Sequence, residues 1–395
     1  MSHSESVAQR RVRMGPRDPD ESHRVATPLE LLFDLVTVIA VAAAAAGLHH
    51  AIAAAHFAEG LLHFCAAFFG IWWAWMNYTW FASAYDNDDT PFRLLTMVIM
   101  GGALTMAAGI SVFFDTTDLR LIVVGYIVMR VGMVMLWLRA ARHDPARRLT
   151  GRRYAAGIAL VQLYWIALML LQTRLGAMFY PAFALGAVLE LAVPAIAERR
   201  GATPWHRHHI MERYGLLTII MLGETLLAGS MALNQVASEH FNIDLVMVAL
   251  SALVILFSMW WLYFAREEHL RDRTLSVALI WGYGHILIFM SAAAVGAGFA
   301  VLVDIVTGHT QIGVRVGDYA VAIPVSAYLL GLWLVRDRCV LPSPARWVLL
   351  LFAGAVLLAP PLLGLEGIAA LTAVCVWTRN RLAAPANPPV SVPGG

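Results

Sequence analysis

Twelve apolar runs, most of them near bilayer length, divide the chain and constrain its fold more than any other feature. They fall roughly at 28–48, 59–82, 92–113, 119–138, 154–172, 175–196, 210–232, 243–264, 274–303, 318–335, 346–360 and 362–378. About 20 apolar residues suffice for a helix to cross the hydrocarbon of a bilayer. Inside lipid each backbone N–H and C=O has to find its partner within the segment, so runs of this kind are helices. The expected class is therefore all-α: a polytopic membrane protein with about 12 transmembrane helices. Composition agrees. The chain is 60% hydrophobic and 14% charged, where a soluble domain is about 45–50% apolar and about 25% charged. The last two runs are short and meet at Pro360–Pro361, so they read as two tight spans or one broken span.

The charged residues test that count. The chain has no lysine, and all 28 basic residues are arginine. With the N-terminus inside, 24 of the 28 fall in cytoplasmic segments. The outer loops hold Arg120, Arg174 and Arg315, and Arg130 lies within a span. This split follows the positive-inside rule. Twelve spans keep Arg379 and Arg381 inside and eleven would not, so the expectation is twelve, with both termini cytoplasmic. The absence of lysine excludes any function built on a lysine amine, a retinal Schiff base included. Cys65 and Cys375 lie in apolar runs and Cys339 in a short connection, which is neither a disulfide framework nor a CxxC metal site.

Four segments are expected. Residues 1–26 form a polar cytoplasmic tail without the apolar core of a cleavable signal peptide. Residues 27–200 and 201–383 form two halves of six helices, and the proline-rich tail 384–395 is expected to be disordered. A weak internal repeat supports the halves: "FDLVTVIAV" (33–41) aligns with "YGLLTIIML" (214–222), and tryptophan pairs recur at Trp72–Trp73 and Trp260–Trp261. An even number of helices per half makes the repeat parallel, an arrangement found in transporters.

Several polar residues sit where lipid would penalise them. Thr27-Pro28-Leu29-Glu30 has the pattern of a capping box at a helix start, which accounts for Glu30 as a residue of the membrane surface. Asp34 has no such account. It lies about 9 Å into the helix at about 1.5 Å per residue, on a face continued by Thr37 and the small residues from Ala40 to Gly47. That face reads as turned toward the protein. Farther on, His209, Glu212 and Arg213 gather at one helix entry. Glu224 follows Arg213 on the same face, about 16 Å along. An acid at that depth is a functional candidate by default, and Arg130 is its natural counter-ion. Glu190 lies at a depth like that of Asp34, so a shared vestibule of Asp34, Glu190, Glu212 and Arg213 is one reading. His285 is either a proton relay or a satisfied core histidine.

"YDNDDTPFR" carries Asp86, Asp88 and Asp89 before Thr90-Pro91. Thr90 reads as a cap with proline behind it, and the acids suit a helix N-terminus. The alternatives are a cation site or a cytoplasmic gate, and the spacing is not that of an EF-hand. The neighbouring "WWAWMNYTW" reads as interfacial belt and packing, with Asn77 the side chain inside it that needs a hydrogen-bond partner. His209-x-x-Glu212 is not the zinc-protease HExxH, so no metal is expected, and no Walker, GxSxG or GxGxxG motif calls for a cofactor. Nothing points to nucleic acid.

Three blocks, "PLELLFDLVTVIAVA", "WWAWMNYTWFASAYDNDDTPFRLLT" and "HIMERYGLLTIIMLGETLLA", resemble in order and spacing the signature blocks of the bacterial low temperature requirement A family. The resemblance covers about residues 25 to 380 and implies a polytopic protein of the bacterial inner membrane. It points to Glu30, Phe33, Asp34, Trp73, Asn77, Asp86, Asp88, Asp89, Glu212, Arg213, Gly223 and Glu224. The family is named for a growth phenotype, so the resemblance implies no reaction. The intramembrane carboxylates favour a secondary transporter or permease coupled to protons, with membrane lipid and a small solute or ion as partners and the oligomeric state open. A sensor or structural membrane protein linked to low-temperature growth is the alternative, and an intramembrane lipid-modifying enzyme is the second.

Overall fold

A computed structural model of the chain describes residues 14–22, 24–238, 242–265, 270 and 274–383, with the backbone alone at 200 and 228–238. The tail 384–395 and the loop arginines Arg266, Arg271 and Arg273 lie outside the described residues. All regular structure among the described residues is helical. The long helices are α1 (Pro28–Ala53), α2 (Phe57–Tyr85), α3 (Thr90–Thr116), α4 (Arg120–His143), α5 (Arg148–Leu175), α6 (Phe179–Ala197), α7 (Arg207–Ser238), α8 (Ile243–Phe264), α9 (Leu275–Val306) and α10 (Val314–Leu332). A π-helical turn, Trp333–Asp337, follows α10, and α11 (Val348–Leu358) and α12 (Pro360–Ala383) complete the chain. Nine helical stretches among the described residues are long and apolar enough to cross a membrane. One of them, Arg148–Ala197, consists of α5 and α6 packed on one another. The break between them falls at Gly176, whose φ of 49° favours a residue without a Cβ.

The chain forms two compact units. The first spans Met1–Glu224 with Arg273–Ser276 and contains α1 to α6 and the first part of α7. Within it α1 packs on α2 and α3, α3 on α4, α4 on α5, and α5 on α6. Without a hydrophobic drive between helices in lipid, close approach requires small residues. At the α3–α4 crossing a Cβ on Gly125 would come within 2.4 Å of the Met106 nitrogen and 2.5 Å of the Gly102 carbonyl oxygen. The outer faces stay apolar, as at Leu31, Leu32, Leu35 and Ile39 of α1. α2 differs. From Phe68 to Asp86 nearly every side chain is buried, the signature of a helix enclosed on all sides. Its tryptophans Trp72, Trp73 and Trp75 are therefore interior residues, not the interfacial belt that the sequence suggested. Trp260 and Trp261, their counterparts in the repeat, are exposed on α8.

The first helix starts as its sequence indicated. Thr27 accepts from the Glu30 N–H, and Glu30 accepts from the Thr27 N–H at 2.8 Å. The cap of α3 is shifted by one residue: Asp89, not Thr90, accepts from the Phe92 N–H at 2.9 Å. Asp89 prevails because a carboxylate both caps and answers Arg139, with which it forms an ion pair.

The second unit spans Thr225–Asp272 and Val277–Gly395. In it α12 packs on α8, α10 and α11. At Pro360–Pro361 the chain forms two helices, α11 and α12, the first of them short, and α12 is kinked at Gly364. Arg336 and Arg379, counted above as loop arginines, are buried around Asp337, at 2.6 Å each. Arg213 is likewise buried. Their burial is explained by carboxylate partners, since an arginine can enter a dry interior only when paired.

Candidate functional site

At one end of the first unit the start of α1, the end of α2 and the start of α7 meet. α1 brings Glu30 and Asp34 one turn apart, and α7 brings His209 and Arg213 one turn apart, so the two pairs face each other. Arg213 Nη1 lies 2.9 Å from Glu30 Oε1, and Nη2 lies 2.5 Å from Asp34 Oδ1. The same Nη2 reaches the Glu30 carbonyl oxygen at 3.3 Å. His209 Nε2 stands 3.1 Å from Glu30 Oε1. From α2, the Trp75 indole N–H donates to Asp34 Oδ1 at 2.7 Å. All of these side chains are buried. Glu30 is thus more than a cap at the surface. Its Oε2 closes the capping box while its Oε1 faces Arg213 and His209, which is what removes it from solvent.

Above this layer lies a second one. Residues 14–22 and 24–27 lie across the end of the bundle, and their Arg24 is buried with Nη2 3.8 Å from Asp86 Oδ2 and 4.0 Å from Glu30 Oε2. Asp86, just past α2, is buried too. Burial raises its carboxyl, the charge of Glu30 adds to the rise, and together they push it up to about 6. Glu212, half-buried at the rim, accepts from the Ala26 N–H at 3.2 Å. Asp88 pairs with Arg93 on the surface, and Asp89 is held at the cap. The acidic motif therefore divides, and only Asp86 joins the site.

Glu190 does not. It sits in a separate cluster, with Arg130 Nη2 at 3.3 Å. Glu190 Oε1 accepts from the Tyr126 hydroxyl at 2.8 Å and the Trp165 indole at 3.1 Å, and Oε2 accepts from the Trp73 indole at 2.8 Å. The shared vestibule is corrected accordingly: Asp34, Glu212 and Arg213 are together, and Glu190 is elsewhere. Arg130 is the partner of Glu190 and not of Glu224, because α4 and α6 bring them face to face. Glu224 is partly exposed and makes no hydrogen bond or ion pair among the described residues. Asn77 donates to the Trp73 carbonyl within its own helix at 2.7 Å. In the second unit, His285 is buried, with Nε2 3.2 Å from the Tyr263 hydroxyl and Nδ1 2.8 Å from the Trp281 carbonyl. Both ring nitrogens are thus engaged locally. No group of acids, histidines and cysteines among the described residues is arranged for a metal ion.

Three residues of the two clusters had no mark in the sequence. Trp75 was hidden in an aromatic stripe, Arg24 in a polar tail and Tyr126 in an apolar run. The only usable signal was the offset of Trp73 and Trp75 by two positions, about 200° around a helix, which sends one indole to Glu190 and the other to Asp34.

At the opposite end of the same unit a cleft of about 1110 Å³ opens, bordered by Glu59, Thr117, Asp118, Arg120, Gln172 and Tyr180. Inward of it a small apolar cavity of about 30 Å³ is lined by Phe69, Phe113, Tyr126, Trp165 and Phe183, among others. Tyr126 and Trp165 are the donors that hold Glu190.

Residues 25–379 match the family model described as bacterial low temperature requirement A protein. A protein of Rhizobium meliloti (strain 1021), described as uncharacterized, is 28% identical over 289 residues, which cover 69% of this chain and 68% of the relative.

Proposed function

The chain belongs to the bacterial low temperature requirement A family of membrane proteins, and from its buried charges we propose that it is a proton-coupled secondary transporter of a small solute or ion. One observation carries the reading. Glu30, Asp34 and Asp86 bring three carboxylates into one buried cluster, and Arg24 and Arg213 bring two guanidinium groups. With His209 neutral, the cluster holds one negative charge more than it compensates. An uncompensated buried charge is costly enough that the group takes up a proton instead. The cluster is therefore built to hold one exchangeable proton. Asp86, raised to about 6 by burial and by Glu30, is its outer member and Asp34 its inner one. Asp34 Oδ2 has no hydrogen-bond partner among the described residues, as suits a carboxyl that gains and loses a proton.

In this reading the protein lies in the bacterial inner membrane with about twelve spans, both termini on the cytoplasmic side and two parallel halves. The cleft at the far end of the first unit serves as the other opening. Coupling requires that occupancy of the proton site change the affinity of the solute site, and the reverse.

A sensor or structural role is the second reading, and one observation favours it. Glu190 is held by three donors and Arg130 from other helices, the arrangement of a group that fixes helix packing. The two readings separate in proteoliposomes loaded with a pH dye and offered amino acids, organic cations and alkali ions in turn. The transporter reading expects one solute to change the internal pH in wild type and not in Asp34→Asn. No response to any solute under an imposed pH gradient, with the protein folded, would leave the structural reading.

A further inference from the structure

Residues 14–22 and 24–27 are tied to the bundle at several points. Met14 is fully buried. The Arg17 N–H donates to the Ala84 carbonyl at 2.9 Å, and Arg17 Nη1 to the Asp86 carbonyl at 3.0 Å. The Glu21 carbonyl lies 2.8 Å from His206 Nε2, and the Ala26 N–H reaches Glu212. The anchored strap holds Arg24 in the charge cluster, yet Arg24 itself is poorly bound. Among the described residues its single hydrogen bond, to the Ala82 carbonyl, is 3.4 Å long. Its carboxylate partners stand at 3.8 and 4.0 Å, beyond hydrogen-bond reach. Its Nε is buried without a hydrogen-bond partner among the described residues. A guanidinium between two carboxylates ordinarily closes to about 2.7–2.9 Å, and Arg24 stands about 1 Å farther from both.

We propose that the place between Glu30, Asp86 and the Ala82 carbonyl is a binding site for a small guanidinium-bearing solute, and that the Arg24 side chain is its tethered occupant. A free guanidinium can settle closer to both acids than Arg24 does. Its planar fork can serve two carboxylates and a carbonyl together, and it is less strongly hydrated than an ammonium. With Arg24 withdrawn, Glu30, Asp34, Asp86 and Glu212 face Arg213 and His209, and the excess negative charge draws a cation in. The proposal names a substrate class for the transporter reading and rests on it for movement across the membrane; binding at the site does not depend on it.

The test uses the full-length protein in detergent, with methylguanidinium as probe and sodium and ethylammonium at equal ionic strength as controls. Arg24→Ala is expected to lower Tm, and methylguanidinium to restore it saturably by about 2 °C or more, with a smaller gain in wild type, where the Arg24 side chain competes for the place, and none from either control. The gain should vanish in Arg24→Ala/Asp86→Asn. If Arg24→Ala does not fold, Arg24→Gln is measured in its place. A response to methylguanidinium no larger than that to sodium, or one that survives the loss of Asp86, would overturn the proposal. Because no gradient is involved, selective binding without proton movement in liposomes would count against the transporter alone.

Discussion

Asp34 shares one carboxylate oxygen between the Trp75 indole and Arg213, while its other oxygen has no partner. This asymmetry places Asp34 between a structural ion pair and a proton carrier, and substitutions separate the two. Arg213→Ala leaves Glu30 and Asp34 buried and uncompensated and should cost about 3–5 kcal/mol, read as loss of folded protein on heating in detergent. Asp34→Asn keeps the Trp75 contact and should cost much less, because Glu30 still answers Arg213. Asp86 gives a test by pH. Its carboxyl is raised from 3.8 to about 6, so the folded protein binds the proton more tightly than the unfolded chain. This contribution is fully present below about pH 4 and is lost as pH rises through about 6. Asp86→Asn should therefore raise Tm at pH 7, leave it unchanged near pH 4 and flatten the fall between them. The sequence made Glu30, Asp34, Glu212 and Arg213 legible because charges in or beside apolar runs are costly. It could not reveal their pairing, since Arg213 and Asp34 are 179 residues apart and periodicity carries no information at that distance.

α2 organises the first unit, because its two indoles reach two different acids on other helices. α4 and α6 supply the second cluster, and their pairing separates Glu190 from Glu224. Glu190→Gln leaves Arg130 without its carboxylate and should destabilise by about 3–5 kcal/mol. Glu224→Gln, with no partner among the described residues to lose, should stay within about 1 kcal/mol. Equal losses in thermal unfolding would mean that the pairing is wrong. At the α3–α4 crossing, Gly125→Leu would drive a side chain into the backbone of α3, and the expected outcome is failure to fold, seen as an aggregate on size exclusion. The helices themselves were legible from apolar runs. The environment of the tryptophans was not: Trp72–Trp73 and Trp260–Trp261 look alike in sequence, yet the first pair is interior and the second exposed. What differs is how many neighbours each helix has, a property of the assembly.

At the scale of the molecule, nine described helical stretches can cross a membrane, and the largest buried side chains include four arginines: Arg130, Arg213, Arg336 and Arg379. A chain without lysine uses arginine both for its flanks and for its interior. The flanking role was legible from the lopsided split of the 28 arginines. The interior role was legible only in part: Arg130 lies within an apolar run and Arg213 stands beside other charges at a helix entry, whereas Arg336 and Arg379 fall at the ends of apolar runs and read there as loop charges. Each interior arginine meets at least one carboxylate, and the cluster of Glu30, Asp34 and Asp86 exceeds its guanidinium groups by one charge. That excess is the central claim, and the infrared difference spectrum of the purified protein between about pH 5 and pH 8, across the raised value of Asp86, tests it most directly. The account predicts a protonated-carboxyl band at the lower pH that disappears at the higher and is missing from Asp86→Asn. A band that does not titrate across this range, or that persists unchanged in both Asp86→Asn and Asp34→Asn, would contradict it.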